Sequence, residues 1–133
     1  MLTREPENAI LSQASDWGVG FVAFSPLAQG LLTNRYLNGI PEGSRMTKSR
    51  FLNASVLTEN ILSGIQLLND LAAQRGQSLA EMSLAWNLRR PEVTSVIVGA
   101  SSVAQLECNL KGRENTVFTA EELQTIDDIL ATM

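Results

Sequence analysis

Proton transfer and transition-metal binding most often use histidine, and this sequence of 133 residues has none. Its absence removes the commonest general base, the Ser-His and Cys-His couples, and the usual nitrogen ligands for zinc or iron. Cys108 is the single cysteine, so an intrachain disulfide and a multi-cysteine metal site are both excluded. With no activating cluster visible around it, Cys108 reads as a buried or half-buried inert thiol. The acidic pairs Glu121-Glu122 and Asp127-Asp128 fall on predicted exposed helix faces, which suits solvation rather than acid-base work. Two segments remain. Ser25-Pro26-Leu27-Ala28-Gln29-Gly30 and Gly99-Ala100-Ser101 each follow an apolar run and combine hydroxyl, glycine and successive backbone N–H groups. Such a combination suits a pyrophosphate, because glycine lets the backbone approach and the N–H groups donate.

The elements that hold these segments are legible from spacing. Pro6, with Glu5 and Glu7 beside it, suits a helix start, and a helix is expected over residues 6–16. Gly18 and Gly20 end it. Residues 19–24 are nearly all apolar and predict a strand buried on both faces, as in parallel sheets. Ser25-Pro26 terminates that strand. A long polar connection covers residues 28–56, and its length inside a compact domain marks a functional loop. Thr58 caps a predicted helix that runs to Arg75, with Gly76 beyond its end. Ser78 and Glu81 have capping-box spacing ahead of a second helix that stops at Pro91. A second strand is expected over residues 93–98, then a short helix with Val103, Leu106 and Leu110 on one face. Thr119 and Glu122 cap a last helix ending near Ala131. Trp17, Met82, Trp86 and the leucines at helical spacing are expected in the core.

Strands alternating with helices imply parallel pairing with right-handed crossovers. Two strands alone leave unpaired edges and thinly covered faces, so the sequence reads as part of a larger α/β structure. Ten basic against fourteen acidic residues, with no basic run, give a net charge of −4 and no footprint for nucleic acid. The apolar stretches fall far short of the roughly 20 residues that span a bilayer. The first residues lack the apolar core of a secretory signal, and the cytoplasm is the expected location.

In its order of motifs the sequence resembles the aldo-keto reductases. Phe24-Ser25-Pro26-Leu27-Ala28-Gln29-Gly30-Leu31-Leu32 is similar to the stretch after the seventh strand of that family's (β/α)8 barrel. Asn38-Gly39-Ile40-Pro41 with Ser44-Arg45 resembles the long loop that follows. Val96-Ile97-Val98-Gly99-Ala100-Ser101 with Gln105 and Asn109 resembles the eighth strand and its helix. The likeness extends to bacterial relatives of potassium-channel beta subunits and covers essentially the whole chain. It implies an incomplete TIM barrel: residues 1–133 would form a single partial domain holding about strands seven and eight with their helices.

The resemblance also implies a cofactor, NADP(H), lying extended across the C-terminal mouth of the barrel, where loops after parallel strands face a ligand. Phe24 resembles the aromatic that stacks on the nicotinamide, and Ser25, Pro26, Leu27 and Gly30 fall at the pyrophosphate. Ser-Pro after a strand is also a plain strand terminator. Arg35 and Arg45 match basic positions near the pyrophosphate or adenosine, though lone loop arginines are commonly solvated charges. Gly99, Ser101, Gln105 and Asn109 match the adenosine end; spacings of four put the last three on one helix face, and Ser101 is equally a candidate N-cap. A helix N-terminus there favours the 2′-phosphate of NADP. Cys108 stands where the family commonly has an acidic residue, so no adenine-binding carboxylate is carried over.

The family's Asp, Tyr, Lys, His tetrad belongs to earlier strands, and no catalytic residue maps onto this sequence; its one tyrosine, Tyr36, falls in the cofactor loop. The expected function is thus the NADP(H)-binding C-terminal portion of an oxidoreductase that reduces aldehydes or ketones. A small carbonyl substrate would bind only in the complete enzyme. A noncatalytic nucleotide-binding regulatory module, or a truncated product without activity, is the alternative. Open strand edges further predict self-association.

Overall fold

The computed structural model describes residues 1–42, 44, 46 and 54–133. Among these the order is α1 (Ile10–Asp16), β1 (Phe21–Phe24), α2 (Glu59–Gln74), α3 (Leu79–Leu88), β2 (Val93–Ile97), α4 (Val103–Lys111) and α5 (Ala120–Ala131). Short 3-10 turns lie at Glu5–Glu7, Ala28–Gly30, Asn34–Tyr36 and Ala54–Val56. The fold is α/β, and β1 pairs with β2 in parallel. No helix among the described residues is long and apolar enough to cross a membrane.

Local chemistry starts the helices where the sequence predicts. The Thr58 hydroxyl accepts from the Ile61 N–H at 3.3 Å. Ser78 accepts from Glu81 N–H at 3.2 Å while the Glu81 carboxylate takes the Ser78 N–H at 2.7 Å. Thr119 and Glu122 repeat the reciprocal pair at 3.1 and 2.7 Å. Each cap satisfies donors the helix cannot, and contributes about 1 kcal/mol. Gly76, with φ 68, supplies the left-handed residue after α2. The first helix differs from expectation: Pro6 sits in a 3-10 turn, and α1 starts only at Ile10, after Ala9, which offers no side-chain cap.

Most of the core lies between helices. Ile65, Leu68 and Ala72 of α2 pack with Leu79, Met82 and Trp86 of α3, with Ile126 and Ile129 of α5, and with Leu31, Leu32 and Tyr36 from the connection after β1. Helix α3 buries Leu79, Met82, Ser83, Leu84, Ala85 and Trp86, which is nearly its whole circumference. An all-round apolar helix fits a central position, and α3 touches β2, α2 and α4.

The sheet departs from the predicted double burial. Val22 and Phe24 are exposed while Phe21 and Ala23 are half-buried. Alternation follows from the pleat: one face meets helices, and among the described residues nothing covers the other. A register irregularity follows Phe21, where Phe21 pairs with Val93 but Val22 with Ser95. Close by, a Cβ at Gly20 would collide with the Thr94 side chain, so that approach of the two strands requires glycine. Trp17, expected in the core, is 78% exposed. It caps the C-terminus of α1, and Gly18 at φ 65 turns the chain away before the indole reaches a neighbour.

Candidate functional site

Because Phe24 pairs with Ile97, the two strands end side by side, and the segments after them emerge at the same edge of the sheet. The structure therefore brings Phe24, Ser25, Pro26, Leu27 and Gly30 to the same end as Gly99. The Phe24 ring is 79% exposed. Ser25 is exposed, whereas Pro26 is buried beneath it.

The backbone after β1 is unusual. Ser25 has φ 52, Ala28 φ 46 and Gln29 φ 59, all in the left-handed region, and Gly30 follows at φ 101. For a non-glycine residue that conformation costs roughly 1–2 kcal/mol each. The turn holds because its bonds over-determine it. Ala28 N–H donates to Ser25 O at 2.9 Å, Gly30 N–H to Leu27 O at 2.8 Å, and Leu32 N–H to Leu27 O at 3.2 Å. Thr33 hydroxyl donates to Gly30 O at 2.7 Å and accepts from Arg35 N–H at 3.1 Å. Leu31, Leu32 and Tyr36 then anchor the turn in the core, with Tyr36 only 1% exposed.

Gly30 is indispensable to that shape. A Cβ there would lie 3.6 Å from Tyr36 Cε2, an ordinary contact, so the cost of a side chain is conformational. Gly30→Ala is expected to destabilise the chain by about 1–2 kcal/mol in urea melts; an unchanged midpoint would show that the turn relaxes freely.

The second segment is organised by hydrogen bonds on α4. Ser102, rather than Ser101, is the N-cap, accepting from Gln105 N–H at 3.1 Å. Gln105 Oε1 instead receives the Ser101 N–H at 2.7 Å and the Ser101 hydroxyl at 3.0 Å. Four residues on, Asn109 is 7% exposed and its Nδ2 has no hydrogen-bond partner among the described residues. An amide donor so placed carries a desolvation cost of roughly 1–3 kcal/mol unless a ligand group accepts from it. Arg35 lies exposed beside the first segment. Arg45 lies outside the described residues. Cys108 Sγ donates to Glu81 Oε1 at 3.6 Å and lies 3.8 Å from Ser78 Oγ.

Sequence reasoning did not single out Gln29, Thr33 or Ser102, although Thr33 and Ser102 stand where short hydroxyl residues open turns.

Residues 1–131 match the aldo/keto reductase family. The chain belongs to that family. It is 50% identical over 129 residues to "L-glyceraldehyde 3-phosphate reductase" of Escherichia coli, a match covering 94% of this chain and 37% of the relative. It is 36% identical over 135 residues to "Putative voltage-gated potassium channel subunit beta" of Schizosaccharomyces pombe, covering 97% of this chain and 39% of that protein. With "Uncharacterized oxidoreductase YrpG" of Bacillus subtilis the identity is 34% over 129 residues, covering 97% and 37%. The chain thus spans 37% of the reductase it matches. Its α/β arrangement with a two-stranded parallel sheet agrees with part of that family's barrel.

Proposed function

We propose that this chain is the NADP(H)-binding C-terminal portion of an aldo/keto reductase acting on aldehydes or ketones, with β1 and β2 as strands seven and eight of a TIM barrel. The observation that carries the reading is the cluster of left-handed residues, Ser25, Ala28, Gln29 and Gly30, just after the C-terminal end of β1. Strain of this kind persists where a ligand clamp needs it. The bound cofactor would supply the hydride. Phe24 offers an exposed ring for the nicotinamide, Ser25 a hydroxyl and Leu27 a backbone N–H for the pyrophosphate, and Gly30, whose own N–H is bonded to Leu27 O, permits close approach. Arg35 and Arg45 would neutralise phosphate charge. Gly99, Ser101 and Gln105 precede and open α4, whose N-terminal dipole favours the 2′-phosphate. Buried Asn109 has an amide donor ready for an acceptor on the adenosine side. The catalytic tetrad of such an enzyme would lie upstream of these elements, in a cytoplasmic protein.

A titration tests this reading. NADPH followed by the fluorescence of Trp17 and Trp86 should bind the 133-residue chain saturably but weakly, and Gly30→Ala should weaken binding further. In the same preparation, reduction of a carbonyl panel should not exceed buffer. No saturable NADPH binding would refute the cofactor assignment, and turnover that vanished in Tyr36→Phe would refute the placement of the tetrad.

A further inference from the structure

The Thr33 hydroxyl joins two parts of the candidate site that the backbone alone would leave independent. Its proton goes to the Gly30 carbonyl at 2.7 Å, closing the left-handed turn after β1, and its oxygen takes the Arg35 N–H at 3.1 Å, opening the 3-10 turn Asn34–Tyr36. A hydroxyl has one proton to give and lone pairs to spare, so it serves both partners at once. Hydrogen bonds thus run from the Arg35 backbone through one side chain to the residue at φ 101.

Arg35 is held from its other side as well. Tyr36, the next residue, is buried, and its ring lies 3.6 Å from where a Gly30 Cβ would stand. With its N–H fixed by Thr33 and its neighbour sunk in the core, the Arg35 backbone is anchored, while the side chain stands in solvent. Its guanidinium is not spent on a structural pair. Arg4, Arg75, Arg89 and Arg90 each meet a carboxylate, whereas among the described residues none pairs with Arg35. An unpaired cation on an anchored backbone loses less freedom on meeting an anion than one on a loose loop.

We propose that Thr33 is a positioning residue for the cofactor: its hydroxyl sets Arg35 against the pyrophosphate, so that Thr33 acts on binding through Arg35. The inference rests on the NADP(H) reading given above. Thr33 need not touch a phosphate itself, since its one proton is committed to Gly30. A hydroxyl that merely supported the turn would matter equally with or without Arg35, and this difference is measurable.

NADPH titrations of the unmodified chain, Thr33→Val, Arg35→Ala and the double variant form the cycle that measures it. Valine keeps the shape and the preference for extended backbone that Thr33 shows at φ −145, and loses only the hydroxyl. Thr33→Val should weaken binding about tenfold through the loss of two hydrogen bonds. Added to Arg35→Ala, the same change should cost less than about twofold. Raising ionic strength screens an exposed cation, so affinity should fall less steeply with salt in Thr33→Val than in the unmodified chain, and Thr33→Ser should restore both affinity and salt dependence. A Thr33→Val loss of equal size with and without Arg35 overturns the proposal, as does unaltered affinity in Thr33→Val. An unmodified chain that binds no NADPH refutes the cofactor reading and this inference with it, whereas binding without coupling refutes this inference alone. Should Thr33→Val not fold, amide hydrogen exchange of the unmodified chain decides: saturating NADPH should slow the Arg35 and Gly30 amides together, and an Arg35 rate that NADPH leaves unchanged overturns the proposal.

Discussion

Replacing Arg75 with alanine is expected to lower stability by about 3 kcal/mol, the lower end of what removal of one partner from a buried pair costs. Arg75 sits at the end of α2 with its side chain buried, and all three nitrogens of its planar fork are engaged. Nη1 lies 2.6 Å from Glu122 Oε2, Nη2 donates to the carbonyls of Asn115 and Val117 at 3.1 and 3.0 Å, and Nε donates to Gln77 Oε1 at 3.0 Å. The guanidinium also stacks 3.7 Å above the centre of the Phe118 ring. Removing it leaves the Val117 carbonyl to water and the Asn115 carbonyl to Gln77 Nε2 alone, and it frees the approach to α5. The loss stays below the upper limit because Glu122 keeps the Thr119 N–H and some solvent. Burial pushes the Glu122 carboxyl up, but the Thr119 N–H and Arg75 outweigh it, so its pKa lies below the ordinary value. A thermal melt should move down by about 10 °C. Arg75→Lys should recover little, since one ammonium cannot reproduce a planar fork that serves a carboxylate and two carbonyls. A lysine variant with unchanged melting would show that charge alone fixes this corner.

That clamp joins residues about forty positions apart, and no local pattern announces it. What the sequence did announce was local: Thr58, Ser78 with Glu81, and Thr119 with Glu122 cap helices through neighbours within three residues, and the structure keeps every one. Gly76 ends α2 for the same reason. The parallel pairing of β1 with β2 was legible as well, because alternating element types leave few topologies. Burial was less legible, since it depends on which surfaces meet. Residues 19–24 have the composition of a strand covered on both sides, yet Phe24 and Val22 are exposed. At the candidate site, spacing put Ser101, Gln105 and Asn109 on one side of α4, but the packing against α3 that buries Asn109 had no local signature. The left-handed backbone at Ser25, Ala28 and Gln29 was hidden too, because none of these residue types requires it.

The 133-residue chain should gain stability between pH 5 and pH 8, by about 4 kcal/mol, and the amino group of Met1 should be the cause. Met1 is buried in the core cluster. Burial pushes its ammonium pKa from 8.0 down to about 5; Glu7 opposes the shift, and Arg89 and Arg4 add to it. Below pH 8 the unfolded chain binds a proton there that the folded chain refuses until about pH 5. The folded state is therefore most favoured above pH 8, and that contribution is lost as pH falls to about 5. Three pH units at about 1.36 kcal/mol each set the magnitude. The window is clean because the sequence has no histidine to titrate within it. Carboxylates act lower. Burial pushes Glu7 up, yet the Arg4 and Arg89 guanidiniums bring it net below its ordinary value, so its contribution is held above that value and lost only in more acidic solution. Denaturant melts of the free and N-terminally acetylated chains across pH 5 to 8 isolate the group, since acetylation removes the charge and the packing cost of the added acetyl group does not vary with pH. The free chain should show the slope and the acetylated chain should be nearly flat. Equal slopes would mean that the amine escapes to solvent, and that the packing of Met1 against Trp86 and its neighbours does not hold in solution.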